Sequence, residues 1–448
     1  MKNEQTSSLR FDRGTILITG NISTPYGKWD PRVGCYRAKA MYYQDILSYL
    51  TESNIRFLDH TPTLPPVQSF SRSIELRPYQ NEALREWRHA GMKGIIVLPT
   101  AAGKTYIALK VISLLKMQTL IVVPTLDLID QWRHQVQTLL GVEAGAIGGG
   151  EYDLQMITVS TYDSAYIHAD RLGNRFRFLV FDEVHHLASP GYMQIAEMYI
   201  APYRMGLTAT YERIDERHEL LPQLVGPVVY NREVEELAGD HLSPFVHEKV
   251  YVELLPKERE KYDREMGFFR RFLLTRGIEL RSFQDFQKFI MRTGRDPNAR
   301  KALLARNRAL RTALNSEAKL SILAEQLRIH KNQRALIFTL YNDLVYEISR
   351  RFLVPAITYQ TPKEERREIL AKFRNGSYST IVTSQVLDEG IDVPEASVGF
   401  ILSGTGSKRE YIQRLGRLLR KSDGKTAKLV ELVTDETMEV GWSYRRHQ

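Results

Sequence analysis

The sequence contains two series in which short apolar runs rich in β-forming residues alternate with helical stretches. The first series starts near Pro78 and includes the runs GIIVLPT, TLIVVPT, MITVST, RFLVFDE and MGLTAT. The second includes ALIFTL, STIVTSQ, VGFILSG and KLVELVT. Strands that alternate with helices are typical of a parallel sheet covered on both faces. The two series therefore predict two α/β domains in one chain.

The composition around these series predicts three domains. Residues 1–65 mix short apolar runs with turn signals, which indicates a small α/β domain, and the Pro-rich segment 61–66 marks its end. Residues 66–240 hold the first series, and residues 241–448 hold the second. Residues 250–312 show helical stretches without a strand pattern, so we interpret them as a helical insertion in the last domain.

The positive charge of the chain is concentrated in that insertion. The formal net charge is +9, and residues 251–310 hold 15 Lys and Arg against 8 Asp and Glu. A basic segment with interleaved aromatic residues favours a polyanionic partner such as nucleic acid. We expect the insertion, rather than the chain as a whole, to meet that partner.

The cysteine content and the hydropathy pattern exclude several classes of protein. Cys35 is the one cysteine, which excludes an intramolecular disulfide and a cysteine-based zinc or iron–sulfur site. No apolar run reaches the roughly 18 residues that span a bilayer, and the first residues lack the apolar core of a signal peptide. We therefore expect a cytoplasmic protein without a membrane partner.

A candidate phosphate-binding loop follows the first apolar run of the first series and opens a helix. Its residues are Leu98, Pro99, Thr100, Ala101, Ala102, Gly103, Lys104 and Thr105. In such a loop the backbone N–H groups face the phosphates of ATP, Lys104 pairs with the β- and γ-phosphates, and Thr105 ligates Mg²⁺. Leu98 replaces the usual first Gly and Ala101 replaces another. Because an alanine is small, we expect ATP binding to be retained.

A pair of adjacent carboxylates, Asp182 and Glu183, ends the apolar run RFLVFDE. Ligands bind at the carboxyl ends of strands in open parallel sheets, and a metal gives buried carboxylates a reason to be there. Asp182 is placed to hold Mg²⁺, and Glu183 to orient and deprotonate an attacking water. His185 and His186 follow, and we interpret His185 as a polar link to the domain interface. A purely structural histidine pair is the alternative.

Arg417 and Arg420 are three residues apart in a helical stretch near the end of the second series, so they share one helix face. Such a pair can stabilise the charge that develops on a transferred phosphoryl group, as an arginine finger does. The alternative is a solvated basic helix.

The order of these motifs resembles the superfamily 2 helicases over residues 76–420. The resemblance implies that Arg77 and Gln80 contact adenine, that Gly390 and Asp392 contact the nucleotide, and that Gln413 acts beside Arg417 and Arg420. It also implies that Thr125, Thr161 and Ser384 contact the nucleic-acid backbone. The run GLTAT, which ends at Thr210, resembles the motif that links hydrolysis to domain movement.

Within this superfamily the chain is similar to the XPB family in its short archaeal form. The similarity rests on the sequence segments TATYERIDERHE, SQVLDEGIDVPEA and REYIQRLGRLLR, together with the basic insertion. The resemblance implies a damage-recognition domain in residues 1–65, a DNA-gripping thumb in residues 250–312 and an R-E-D element proposed to separate strands. That element reads Arg213, Ile214 and Asp215 here, so its central acid is missing.

The insertion carries its own candidate DNA contacts. Phe268, Phe269 and Phe272 lie beside Arg270 and Arg271. Aromatic rings can stack on bases and arginines can pair with phosphates. The alternative is that the phenylalanines pack a helical hairpin while the arginines are solvated.

Together, these features predict two RecA-like parallel-sheet domains with a small N-terminal α/β domain and a helical thumb. The expected activity is an ATP- and Mg²⁺-dependent DNA helicase or translocase. The resemblance to the XPB family implies 3′ to 5′ movement, a role in nucleotide excision repair or transcription, and a separate nuclease partner. The first competing hypothesis is a duplex translocase that positions a nuclease without separating strands. An RNA helicase is the second, and a scaffold with an inactive ATP site is the third.

Overall fold

The computed structural model describes residues 7–20, 22, 24–67, 70, 72–213, 215–238, 243–384, 396–404, 407, 411, 416 and 426–446. It divides into two compact units, Met1–Glu233 and Val234–Gln448. The border thus lies seven residues before the predicted one after residue 240, and the predicted N-terminal domain belongs to the first unit. The sequence-predicted site residues outside the described residues are Ile214, Gly390, Asp392, Gln413, Arg417 and Arg420.

A five-stranded sheet opens the first unit. Its strands are β1 (Ser7–Asp12), β2 (Thr15–Thr19), β3 (Lys28–Asp30), β4 (Cys35–Lys39) and β5 (Phe57–Asp59). Their order is β3-β4-β2-β1-β5, with helix α1 (Tyr43–Glu52) packed on one face. Ile200 belongs to the same buried cluster as Leu9, Ile16 and Ile46, so this small sheet packs on the α/β part of the first unit.

An eight-stranded sheet forms the rest of the first unit. Its strands are β6 (Lys93–Val97), β7 (Thr119–Val123), β8 (Gly145–Gly148), β9 (Glu151–Tyr152), β10 (Ile157–Thr161), β11 (Phe178–Asp182), β12 (Tyr203–Thr208) and β13 (Val228–Asn231). The order is β13-β6-β12-β11-β7-β10-β8-β9, and every pair is parallel except β8 with β9. Strands β7, β10 and β11 are buried along their whole length, as both faces of a doubly covered sheet require.

Helices connect these strands. They are α2 (Pro78–His89), α3 (Lys104–Leu115), α4 (Leu126–Leu140), α5 (Tyr162–Ile167), α6 (Ala169–Leu172), α7 (Met193–Met198) and α8 (Leu221–Leu224). Short 3-10 turns cover Ala40–Tyr42, Val184–Ala188 and Arg217–Leu220.

The second unit contains a six-stranded parallel sheet. Its strands are β14 (Phe245–Val252), β15 (Ala335–Phe338), β16 (Ala356–Ile357), β17 (Thr380–Thr383), β18 (Val398–Ile401) and β19 (Ala427–Thr434). Their order is β14-β19-β18-β15-β17-β16. The helices are α9 (Val234–Leu237), α10 (Pro256–Thr275), α11 (Phe283–Thr293), α12 (Pro297–Leu314), α13 (Glu317–Ile329), α14 (Asn342–Phe352), α15 (Lys363–Arg374) and α16 (Met438–Arg446).

Helices α10, α11 and α12 occupy most of residues 250–312, and they begin later than the predicted insertion does. Strand β14 continues to Val252 and pairs with β19 in parallel register, so the helices begin only at Pro256. Helix α12 turns a row of buried alanines toward α10, which lets the two backbones approach closely. No helix in the described part of the chain is long and apolar enough to cross a membrane.

Candidate nucleotide site

The predicted phosphate-binding loop lies at the carboxyl end of β6 and leads into α3. Gly103 is the N-cap of α3 and has a left-handed backbone, with φ of 75°. This conformation favours glycine, and an added Cβ would lie 2.5 Å from Nε2 of Gln80, which would have to move. Ala101 also has a left-handed φ, 68°, which an L-residue adopts at a cost of about 1–2 kcal/mol. The replacement of a glycine by Ala101 is therefore strained, which its small side chain does not reveal.

The donors of the loop are arranged for an anion. The Nζ of Lys104 donates to the carbonyls of Leu98 at 2.9 Å and Pro99 at 3.4 Å, which holds the ammonium over the loop. The Oγ1 of Thr100 is buried and makes no hydrogen bond. Thr105 is half-buried in the first turn of α3. A helix N-terminus, a lysine and an orphaned buried hydroxyl fit the phosphates of a nucleotide.

Helix α2 braces this loop. The Nε2 of Gln80 donates to the carbonyls of Ala102 at 3.0 Å and Gly103 at 3.3 Å, while its Oε1 accepts from the backbone N–H of Arg77. The hydroxyl of Tyr79 donates to the carbonyl of Ala102 at 2.7 Å. The contact of Arg77 and Gln80 with adenine stays a prediction. The bracing role of Tyr79 was missed, because a tyrosine beside a helix start carries no distinctive sequence signal.

Asp182 ends β11, one strand away from the end of β6, because β12 lies between them. Its Oδ2 accepts from Nε1 of Trp132 at 2.9 Å, and its Oδ1 accepts from the backbone N–H of Glu183 at 3.1 Å. Burial, and next the adjacent Glu183 carboxylate, raise the pKa of Asp182. A cation at this position would offset both effects.

Glu183 has a left-handed backbone, with φ of 48°, and its carboxylate joins a buried polar network. Its Oε2 accepts from Oγ1 of Thr208 at 3.3 Å and lies 3.5 Å from Nδ1 of His185. That Nδ1 is also 3.2 Å from Oγ1 of Thr208. Thr208 ends β12, so the network joins the DEVHH segment to the GLTAT segment within the first unit. His185 thus contacts Glu183 and Thr208; its predicted link to the domain interface stays a prediction.

The donor set suits a magnesium ion held together with phosphates. Within the described residues there is no group of three or more His, Cys, Asp or Glu side chains that could hold a metal. Mg²⁺ is typically bound by one or two carboxylates plus substrate phosphates and water. Asp182 and Thr105 would be its protein ligands here.

The structure gives Arg213 and Asp215 partners within the protein. Arg213 donates to both carboxylate oxygens of Asp215, at 2.8 and 2.7 Å, and to the carbonyl of His185 at 2.6 Å. The bonds from Arg213 lower the pKa of Asp215 to about 2. The arginine therefore ties its own segment to the DEVHH segment, and the predicted DNA contact of both residues stays a prediction.

The threonines predicted to contact DNA are helix caps in the first unit. Thr125 caps α4 and accepts from the backbone N–H of Leu128 at 3.4 Å, while Thr161 caps α5 and accepts from that of Ser164 at 3.1 Å. Thr161 is buried, and so is Ser384 in the second unit. Helix capping is a sufficient structural role for Thr125 and Thr161. Their predicted contact with DNA stays a prediction.

The aromatic residues of the insertion divide into two groups. Phe269 is buried and packs edge-on against Phe289 with ring centroids 6.0 Å apart, and Phe272 lies 6.3 Å from the same ring. These two pack the helical hairpin. Phe268 is 43% exposed, and Arg270 and Arg271 beside it are exposed. Of these five residues, Phe268, Arg270 and Arg271 remain candidates for DNA contact.

Comparison with known proteins agrees with this geometry. Residues 73–213 match the family "Type III restriction enzyme, res subunit", and residues 318–422 match "Helicase conserved C-terminal domain". Residues 9–61 match "Xeroderma pigmentosum group B helicase damage recognition domain". The "DNA 3′-5′ translocase XPB2" of Sulfurisphaera tokodaii is 46% identical over 98% of this chain and 99% of that protein. The chain belongs to the XPB family.

More distant XPB relatives are longer than this chain. The "DNA 3′-5′ helicase XPB" of Mycobacterium tuberculosis is 27% identical over 86% of the chain and 65% of that protein. The "General transcription and DNA repair factor IIH helicase/translocase subunit XPB/SSL2" of Saccharomyces cerevisiae is 27% identical over 84% of the chain, but over only 43% of its own length.

A solved structure supports the fold of this XPB-family chain. The helicase domain of Pyrococcus furiosus Hef matches with a TM-score of 0.56 and 20% identity, over 83% of this chain and 98% of that one. This match and the two helicase family matches confirm the two predicted RecA-like parallel-sheet domains. The Sulfurisphaera relative and the damage-recognition match confirm the resemblance to XPB.

Proposed function

We propose that this chain is an ATP-dependent DNA translocase and helicase that moves 3′ to 5′ and opens duplex DNA in repair or transcription. The observation that carries the proposal is the placement of Asp182 and Glu183. They lie at the same carboxyl end of the sheet as the Lys104 loop, and the carboxylate of Glu183 accepts a hydrogen bond from Thr208. Membership of the XPB family indicates that the chain moves along DNA.

The residues of the first unit divide the work of hydrolysis. Lys104 and the loop N–H groups bind the β- and γ-phosphates, and Asp182 and Thr105 hold the metal. When bound, Mg²⁺ neutralises phosphate charge. Glu183 orients the attacking water and takes its proton, while Thr208 and His185 fix the direction of its carboxylate. From the sequence alone, Gln413, Arg417 and Arg420 are proposed to act on the transferred phosphoryl group.

Hydrolysis in the presence of DNA tests the proposal. We expect DNA to stimulate ATP turnover and Lys104→Ala to abolish the stimulated turnover, because the phosphates lose their ammonium partner. Lys110→Ala, on the same helix α3, is the matched control and is expected to keep it. Unchanged turnover in Lys104→Ala would overturn the assignment of the site.

A second candidate function is duplex translocation without strand separation. Ile214 replaces the acid in the middle of the R-E-D element, and the Sulfurisphaera relative is named a translocase. Unwinding of forked DNA, measured beside displacement of a triplex-forming strand, separates the two. Triplex displacement without unwinding would favour the second candidate, whereas activity in both assays would favour the first.

We also propose a separate nuclease as a protein partner, on the resemblance to archaeal XPB alone. A nuclease that copurifies with the chain and cuts forked DNA faster in its presence would support this pairing. A chain that copurifies with no nuclease and leaves cleavage rates unchanged would argue against it.

A further inference from the structure

Helix α4 carries a direct hydrogen bond to the metal-binding carboxylate. Trp132 lies two helical turns after the cap residue Thr125 and is buried. Its indole Nε1 donates to Oδ2 of Asp182 at 2.9 Å. A buried indole N–H needs an acceptor, but here the acceptor is a carboxylate whose direction decides where a metal can bind.

A second aromatic residue reaches the backbone of Asp182 and Glu183 from the segment that follows β10. Tyr162 follows the cap residue Thr161 directly, at the end of β10, and is buried. Its hydroxyl is 3.0 Å from the carbonyl of Asp182 and 3.5 Å from the carbonyl of Glu183. The bond holds the backbone at the point where Glu183 adopts its left-handed conformation. Strain of that kind persists only where the surroundings enforce it.

The Trp132 and Tyr162 contacts are similar in where they start and where they end. Each starts from a segment opened by a threonine that the helicase resemblance assigns to DNA, and each ends on Asp182. One bond fixes the side chain of Asp182, and the other fixes the backbone between Asp182 and Glu183. A small shift of α4, or of the segment that starts at Thr161, would therefore move the carboxylates through short, buried and rigid links.

We propose that Trp132 and Tyr162 are positioning residues that transmit DNA binding to Asp182 and Glu183. Trp132 sets the direction of the metal-binding carboxylate, and Tyr162 sets the backbone that aims Glu183. The proposal rests on the proposed function, since it requires that DNA stimulate hydrolysis. It is distinct from that function, because the site could hydrolyse ATP with DNA acting through other contacts.

The chain provides a matched control for each residue. Trp87 is also buried, and its Nε1 donates to the carbonyl of Arg204 at 2.9 Å, away from the loop. Tyr199 is buried in the same core as Tyr162, and its hydroxyl donates to the carbonyl of Ala165 at 3.0 Å. Substitution of any of the four by Phe keeps an aromatic ring and removes the polar group that makes these hydrogen bonds.

The test measures four quantities for the wild type and the four Phe variants. These are the thermal midpoint, the Mg²⁺ concentration for half-maximal hydrolysis, the KM for ATP and the ratio of kcat with and without duplex DNA. We expect Trp132→Phe to raise the half-saturating Mg²⁺ concentration by about tenfold, since a bond to a charged group is lost. Its stimulation ratio should fall at least threefold.

Tyr162→Phe is expected to lower the stimulation ratio at least threefold with little change in the Mg²⁺ requirement, because its bond is to backbone. Trp87→Phe and Tyr199→Phe should lose thermal stability by similar amounts and keep wild-type values for the other three quantities. Variants of Trp132 and Tyr162 that behave like their controls would overturn the inference. A wild type that DNA does not stimulate would instead overturn the proposed function.

Should Trp132→Phe fail to fold, Tyr162→Phe carries the test alone. A stimulation ratio equal to that of Tyr199→Phe would then refute the transmission of DNA binding through Asp182 and Glu183.

Discussion

One buried site in each α/β unit shows two opposite ways to hold a charge. In the first unit Asp182 is buried beside Glu183, a like charge, and its side-chain donors are the neutral Trp132 indole and a backbone N–H. In the second unit Lys319 and Glu439 form a 2.6 Å ion pair in which both side chains are 1% exposed. Lys319 also donates to the carbonyl of Leu402, and Glu439 accepts from the backbone N–H of Thr434.

The difference separates a functional charge from a structural one on the same fold. Like carboxylates in a buried place oppose folding unless a cation joins them, whereas an oppositely charged pair with further hydrogen bonds is internally satisfied. The pair in the second unit holds α13, the ends of β18 and β19, and α16 together. Removal of the Glu183 carboxylate should therefore affect activity, whereas removal of a charge from the Lys319–Glu439 pair should affect stability.

The largest expected effect is on Glu183. We predict that Glu183→Gln lowers kcat for ATP by about 10²–10⁴-fold, the range for loss of a general base, while ATP still binds. Glu151→Gln, on edge strand β9 of the same sheet, is the control and should change kcat little. A Glu183→Gln variant with wild-type turnover would remove the distinction between the two units.

Next in size is the ion pair of the second unit. Lys319→Met leaves the buried Glu439 carboxylate without its partner, which should destabilise the protein by about 3–5 kcal/mol. Lys372→Met, which breaks an exposed pair with Glu368, should change stability by less than about 0.5 kcal/mol. Urea midpoints measure both, and a small effect of Lys319→Met would contradict a structural role for the pair.

A smaller effect of opposite sign is expected at Asp182. Its pKa is raised in the folded protein, so its stability contribution is present at low pH and is lost as pH rises through the folded pKa. Asp182→Asn should therefore stabilise the nucleotide-free protein at pH 8 by about 1 kcal/mol, although hydrolysis is lost. The gain should vanish near pH 4. A thermal midpoint lowered by Asp182→Asn at pH 8 would show that the carboxylate is not destabilising.

The smallest effect concerns the loop. Ala101→Gly relieves the left-handed strain at φ of 68°, which should raise stability by at most about 1 kcal/mol and leave ATP turnover intact. Ala102→Gly, at the buried neighbouring position, should instead lower stability. Equal thermal shifts for the two variants would mean that the strain at Ala101 is negligible.

The strands that carry the site were predictable because each combines an apolar run with a motif at its carboxyl end. GKT after β6 and DE at the end of β11 are signals of this kind. Because the strands are parallel, both motifs lie at the same carboxyl end of the sheet. The partners of these motifs were not predictable. Trp132 lies in an ordinary amphipathic helix and Tyr162 beside a helix cap, and only the packing shows that both reach Asp182.

Strand β14, which follows the border between the two units, was also missed, for a related reason. Strand β14 has a mixed burial pattern, since it lies at the edge of its sheet, and its polar residues resemble those of the helical insertion that follows. Likewise, the conformation of Ala101 depends on the turn into α3 and not on its side chain. Local composition indicates whether a segment forms a helix or a strand. Tertiary contacts decide whether a strand lies at the edge of its sheet and which φ angles its residues adopt.

The most direct test of the central claim, an ATP-driven motor on DNA, is displacement of a triplex-forming strand from duplex DNA. We predict that the wild-type chain displaces the strand with ATP and Mg²⁺ but not without them, and that Glu183→Gln fails to do so. Displacement that proceeds without ATP, or that survives Glu183→Gln at the wild-type rate, would contradict the claim.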